Sequence, residues 1–194
     1  VAGGGTLVIG FFSGIVDENE HIRLGGYPAP FRKLLGIRVE EFAPMAEGEQ
    51  NEVRFADSSS SACDLWADVI DLEGATALAT FTSNFYAGRP AITEHVFGRG
   101  RAIYLGTRLA PEAMGALLGR LSEAAGVMPP VSAPPGIEVV RRRTEDGRTL
   151  WFVLNHRPEL VTVTLPVAGI DVLTGAEVAG AVALEPYGVS IVQA

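Results

Sequence analysis

Four prolines within nine residues, Pro129, Pro130, Pro134 and Pro135 between Met128 and Gly136, limit the folds open to this chain more than any other feature. Each proline fixes φ near about −65° and has no amide donor, so neither a helix interior nor a sheet interior can run through the segment. The segment therefore reads as a semi-rigid polyproline II linker over 129–136. It divides the chain into two separately packed bodies, residues 1–128 and 137–194. With 194 residues, both can bury a core of their own.

The first body mixes strand and helix patterns. Leu7–Phe12 is a continuous apolar run after the glycines Gly3, Gly4 and Gly5, as expected of a strand buried on both faces in a parallel sheet flanked by helices. Glycines just before such a strand mark the end of a preceding helix, so the sequence is expected to enter partway through a domain. From Gly10 to Glu41 the chain holds a strand end, a polar loop with a Gly25-Gly26 break, a short helix over Pro30–Leu35, and a new strand from Ile37. Loops of roughly 15 residues are uncommon inside domains and are usually functional, which makes this one a candidate contact surface.

Strands follow at Ile37–Phe42, Glu52–Ala56, Ala75–Phe81, Ala91–Phe97 and Ala102–Gly106, the last two joined by a Gly98-Arg99-Gly100 hairpin. Ala62–Leu72 alternates as a strand, although Leu65, Val69 and Leu72 also fit a helical period. Pro111, Met114, Leu117, Leu118 and Leu121 outline an amphipathic helix ending at Gly126. Beyond the linker the pattern is all strand, from Ile137–Arg143 to Val189–Val192, and predicts a small antiparallel sandwich or open barrel.

Composition excludes several functions. The chain has a net charge of −8, with 10 basic against 16 acidic residues over 1–128 and 5 against 7 beyond. Such a surface repels nucleic-acid backbones. Arg141-Arg142-Arg143 is the one basic run, and strand alternation sends Arg142 to the face opposite its neighbours. No apolar run reaches the roughly 18 residues of a membrane span. Cys63 is the only cysteine, so the chain has no internal disulfide, and a reducing, cytoplasmic setting is compatible with it.

The polar residues do not assemble a catalytic centre by pattern. Glu40 and Glu41 are adjacent on a strand and leave opposite faces, so they cannot form a carboxylate pair. Asp17, Glu18 and Glu20 are loop acids. His21 beside them lacks the second histidine of a metal site, and His95 and His156 have no partner spacing. Cys63 lies in Ser61-Ala62-Cys63-Asp64-Leu65, without the glycines of a nucleophile elbow, and reads as a small core residue. No catalytic, cofactor or metal residues are therefore assigned. Tyr27, Phe31, Phe85, Tyr86 and Arg89 remain as candidates for an interface, where aromatic and arginine residues are enriched.

Gly4-Gly5-Thr6-Leu7-Val8, Phe12-Ser13-Gly14-Ile15-Val16-Asp17-Glu18, Leu24-Gly25-Gly26-Tyr27-Pro28 and Leu34-Leu35-Gly36-Ile37 together resemble the middle, trimerisation domain of glycoside hydrolase family 42 β-galactosidases. The resemblance continues through Trp66-Ala67-Asp68, Tyr86-Ala87-Gly88-Arg89-Pro90-Ala91 and Tyr104-Leu105-Gly106-Thr107. The segment after the linker is similar to the family's C-terminal β domain at Asn155-His156, Leu173-Thr174-Gly175 and Pro186-Tyr187-Gly188-Val189.

The resemblance implies an α/β plus all-β organisation. A mixed sheet with flanking helices, akin to class I glutamine amidotransferases but without their N-terminal part, precedes a small antiparallel β domain. It further implies a homotrimer whose subunits each carry a catalytic barrel outside these residues. That barrel would hydrolyse terminal non-reducing β-D-galactose, and this chain alone would be inactive. A stand-alone carbohydrate-binding or amidotransferase-like protein is the alternative.

Overall fold

Strand-forming alternation dominates the protein, whose computed structural model describes every residue from Val1 to Ala194. The chain divides into two units, Val1–Gly126 and Val127–Ala194. The first contains β1 (Thr6–Gly10), α1 (Arg32–Leu35), β2 (Ile37–Pro44), β3 (Gln50–Phe55), β4 (Ser60–Leu72), β5 (Thr76–Phe81), β6 (Pro90–Phe97), β7 (Gly100–Leu105), β8 (Thr107–Leu109) and α2 (Pro111–Ala124).

β4 pairs with β3 from Gln50↔Asp64 to Arg54↔Ser60, and with β8 at Cys63↔Leu109 and Ala67↔Thr107. β8 continues β7, β7 pairs with β6, β6 with β5, and β5 with β3. The pairings close a circuit, which removes the free edges these strands would otherwise expose. Val53, Ala79, Phe81, Ile92, Ile103 and Leu109 form its core with Leu117 of α2.

The second half of β4, Trp66–Leu72, pairs with β2 instead. The side of β7 not taken by β6 carries β1 in parallel, from Thr6↔Arg101 to Gly10↔Leu105. The sheet therefore forks beside Gly106, where a Cβ would lie 2.9 Å from Ile70 Cδ1 and 3.1 Å from the Ala91 carbonyl oxygen. Only a residue without a side chain lets the strands approach this closely. Ile9, Leu35, Ile37, Val39, Ile70, Ala102 and Tyr104 make a second core. The chain between β1 and β2 covers it, ending in α1 and a left-handed Gly36 (φ 61°) whose N–H donates to the Arg32 carbonyl.

Several expectations change. β1 has only Ile9 buried, because it is an edge strand; its parallel pairing is as expected. It stops at Gly10, and Phe12 takes a left-handed φ of 65°. β4 is a strand throughout, but alternation fails from Ala67 to Ile70, where all four residues are buried at the fork. Glu40 sits at a bulge between Val39 and Glu41, and both acids are exposed. The short β8 has no strand pattern of its own in the sequence; it exists because β4 offers it a partner.

The second unit is antiparallel, built of β9 (Ile137–Arg143), β10 (Thr149–Asn155), β11 (Val161–Thr164), β12 (Gly169–Asp171), β13 (Glu177–Val178), β14 (Ala181–Leu184) and β15 (Val189–Gln193). Five strands lie in the order β13-β12-β15-β10-β9, and β11 pairs with β14. Trp151, Val153, Val163, Leu165, Val182, Leu184 and Val192 are its core. Asp171 pins the Leu173-Thr174-Gly175 turn by accepting the Leu173 and Thr174 amides at 2.8 and 3.2 Å. Asn155 Nδ2 donates to the Glu159 and Glu185 carbonyls at 2.7 and 2.9 Å. Arg141 and Arg143 share a face with Trp151, and Arg142 lies on the other, as alternation requires.

Candidate functional site

At the fork, five rings from four parts of the first unit converge. Phe11 and Phe12 follow β1, Trp66 belongs to β4, Phe42 to β2, and Tyr27 to the segment before α1. Phe12 lies 4.4 Å from Trp66 between ring centres, Phe42 lies 5.4 Å from Trp66, and Tyr27 meets Phe42 edge-on at 5.3 Å. Phe11 stacks on Trp66 at 6.3 Å. Phe12 and Phe42 are 52% and 42% exposed, as is Leu65 nearby in sequence at 45%. A cluster this apolar that stays open to water is what a docking surface presents.

Beneath the rings lies Asp68, with no exposed surface. The Trp66 indole Nε1–H donates to its Oδ1 at 2.8 Å, and the Tyr104 hydroxyl donates to Oδ2 at 2.5 Å. The Tyr27 and Tyr104 hydroxyl oxygens are 2.9 Å apart. Since Tyr104 gives its proton to the carboxylate, Tyr27 donates to Tyr104, and the backbone amides of Phe12 and Ser13 face the Tyr27 oxygen. Burial raises the Asp68 carboxyl to about 6, against the opposing pull of the Tyr104 and Trp66 donors. Burial also raises the Tyr27 phenol to about 12 and drives the Tyr104 phenol well above its ordinary range. The arrangement offers no nucleophile or paired acid. It holds aromatic rings in place.

The five interface candidates do not converge. Tyr27 belongs to the aromatic face, and Phe31 packs half-buried on the second core. Phe85 is 68% exposed and lies edge-on to Tyr86 at 5.0 Å. Tyr86 is only 2% exposed and packs against Phe81, so its ring fills the circuit's core and offers no surface. Arg89 donates to Asp71, which also accepts from Arg38 at 3.1 Å; the Arg89 bond is the main cause of a carboxyl held below its usual range. Phe11, Phe12, Phe42, Trp66, Asp68 and Tyr104 were not singled out as a site from sequence. The only local signal is Trp66-Ala67-Asp68, where two-residue spacing puts indole and carboxylate on one strand face.

The residues weighed for chemistry are held in other ways. Asp17 accepts the Asn19 and His21 amides at 2.8 and 3.0 Å, a local turn, with His21 Nδ1 at 3.8 Å. His95 Nδ1 lies 2.9 Å from the Leu34 carbonyl, and His156 Nε2 lies 3.1 Å from Glu138. Cys63 is buried between β3 and β8, its thiol raised by burial, in mid-strand and not at an elbow.

Residues 1–128 match the β-galactosidase trimerisation domain, and residues 136–194 match the β-galactosidase C-terminal domain. The chain is 43% identical over 166 residues to the β-galactosidase BgaB of Geobacillus sp. (strain Y412MC61), covering 86% of this chain and 24% of that protein. It is 40% identical over 193 residues to the β-galactosidase LacZ of Heyndrickxia coagulans, covering 100% of this chain and 29% of the relative. The crystal structure of a β-galactosidase from Bacillus circulans sp. alkalophilus superposes on the whole chain with a TM-score of 0.84 and 36% identity, over 29% of its own length. The chain thus spans roughly a quarter of the length of such relatives. With both family domains matched in order and a mixed sheet followed by small antiparallel sheets, the chain belongs to the glycoside hydrolase family 42 β-galactosidases, of which it carries the non-catalytic trimerisation and C-terminal portion.

Proposed function

We propose that this chain is the assembly-forming part of a cytoplasmic β-galactosidase, and that its aromatic face is a contact surface between subunits of a homotrimer. The observation that carries this reading is the open cluster of Phe12, Phe42 and Trp66 on a domain of the trimerisation family. Copies that each carry a net charge of −8 repel one another at long range. Their attraction must then come from apolar burial, which this face supplies. Phe31 packs on the same core as Tyr27, and Phe85 with Arg89 forms a second contact on the loop before β6.

Hydrolysis of terminal non-reducing β-D-galactose belongs to a catalytic barrel outside these residues, with which the first domain packs. Retaining hydrolysis needs two carboxyl groups about 5 to 5.5 Å apart across a sugar site. Several acids of this chain are tied to arginines: Asp64 to Arg108 at 2.6 Å, Asp71 to Arg38 and Arg89, and Glu40 to Arg38 at 2.5 Å. Assayed with a chromogenic β-galactoside, the purified chain is expected to give no turnover above buffer. Hydrolysis that copurifies with the folded chain would overturn the assignment.

A further inference from the structure

The bonds around Asp68 can be counted donor by donor. With the carboxylate ionised, Trp66 donates to Oδ1, Tyr104 to Oδ2 and Tyr27 to Tyr104, and the Phe12 and Ser13 amides face Tyr27. Every side-chain donor then has an acceptor. A proton added to Asp68 gives the network one side-chain donor more than the protein acceptors in it can satisfy. If that proton is given to Tyr104, the Tyr104 hydroxyl must turn toward Tyr27, and the Tyr27 hydroxyl then turns toward two amides that are themselves donors. If it stays on the Trp66 side, the indole loses its acceptor. In either case the unpaired group belongs to a residue of the aromatic face or to the turn that carries Phe12. Buried donors without acceptors are costly, so the network relieves the conflict by opening.

We propose that Asp68 is a proton-operated latch for the aromatic face: ionised, it holds Trp66, Tyr27 and the Phe12 turn in one arrangement, and protonated, it releases them. The groups packed around it leave no other candidate for the titrating site. Tyr104 of β7 and Tyr27 are neutral across the physiological range, Phe42 pairs with Asp68 from β2, Gly106 accepts its amide from the end of β7, and the shift at Asp68 has no charged side chain among its causes. The consequence for assembly rests on the reading of this face as a subunit contact: association weakens as the pH falls through about 6. The latch itself does not depend on that reading.

The chain has two tryptophans, Trp66 and Trp151. Incorporating 5-fluorotryptophan gives two ¹⁹F resonances, assigned with a Trp66→Phe variant. Between pH 5 and 8 the Trp66 resonance is expected to titrate with a midpoint near 6, and the Trp151 resonance to stay fixed. In Asp68→Asn, which has no proton to exchange, the Trp66 resonance should be flat and lie at the low-pH position. Tyr104→Phe keeps the carboxyl but removes a donor that favours its charge, so the midpoint should rise by roughly one unit. A Trp66 resonance that is flat in the unsubstituted chain, or that still titrates in Asp68→Asn, would overturn the latch. If Asp68→Asn does not fold, an unmoved midpoint in Tyr104→Phe overturns it equally. A failed trimer with a normal Trp66 titration would instead overturn only the contact reading.

Discussion

Replacing Asp68 by Asn is expected to stabilise the first unit at pH 7 by about 3 kcal/mol, although it removes a group that accepts two hydrogen bonds. The carboxyl has an ordinary value of 3.8 and is raised to about 6 in the fold. The native state therefore holds a proton that the unfolded chain has already released between those two values. Stability falls as the pH rises from about 4 to about 6, and the full cost of the buried charge remains above that. At about 1.36 kcal/mol per unit, the difference is about 3 kcal/mol. Asn fills the same volume without charge. Its amide hydrogens bring the same unpaired donor as the protonated acid, a penalty already present in the low-pH reference, and only the cost of the buried charge is removed. Urea titrations of both proteins from pH 4 to 7.5 should give equal stability near pH 4 and a gap that widens to its plateau just above pH 6. An Asn variant less stable than the parent at pH 7 would mean that the Trp66 and Tyr104 bonds outweigh the burial. The carboxylate is then an element that costs stability and is kept for the order it imposes on the rings above it.

Leu35→Ala should cost about 3 to 4 kcal/mol, more than the loss of a leucine from most surfaces, because the side chain is fully buried in the second core. α1 has only four residues and no side-chain cap, too short to be helical on its own propensity. Packing of Leu35 against Ile37, Ile70 and Tyr104 in one cluster is what holds it. Losing that packing should loosen the segment that positions Tyr27, and the Trp66 resonance should broaden along with the fall in the urea midpoint. A variant with an unchanged midpoint would show that the second core collapses around the smaller side chain without cost.

What could be read from the sequence was local. Proline chemistry at 129–136 marked the break between units, Gly98-Arg99 marked the hairpin, and Pro111 with its periodic leucines marked α2, since each signal acts within a few residues. The role of β4 was not legible, because the reason Ala67–Ile70 is buried on successive residues is the arrival of β2 and β8 from elsewhere in the chain. The aromatic face was hidden for the same reason. Tyr104 meets Asp68 across 36 residues and Tyr27 across 77, and no periodicity spans such distances. Tyr86 misled because a loop aromatic near exposed Phe85 looks like surface, whereas its ring turns inward onto Phe81. The Asn155 and Leu173-Thr174-Gly175 motifs of the second unit are explained by turns they pin, and need no ligand.

The molar mass of the chain in solution bears most directly on the idea that it exists to hold subunits together. Light scattering at pH 7.5 and micromolar concentration is expected to give three times the 20.5 kDa of one chain, falling to a single chain when Trp66 and Phe12 are both replaced by Ser. A mass of one chain at every concentration, or a trimer indifferent to both substitutions, would contradict it.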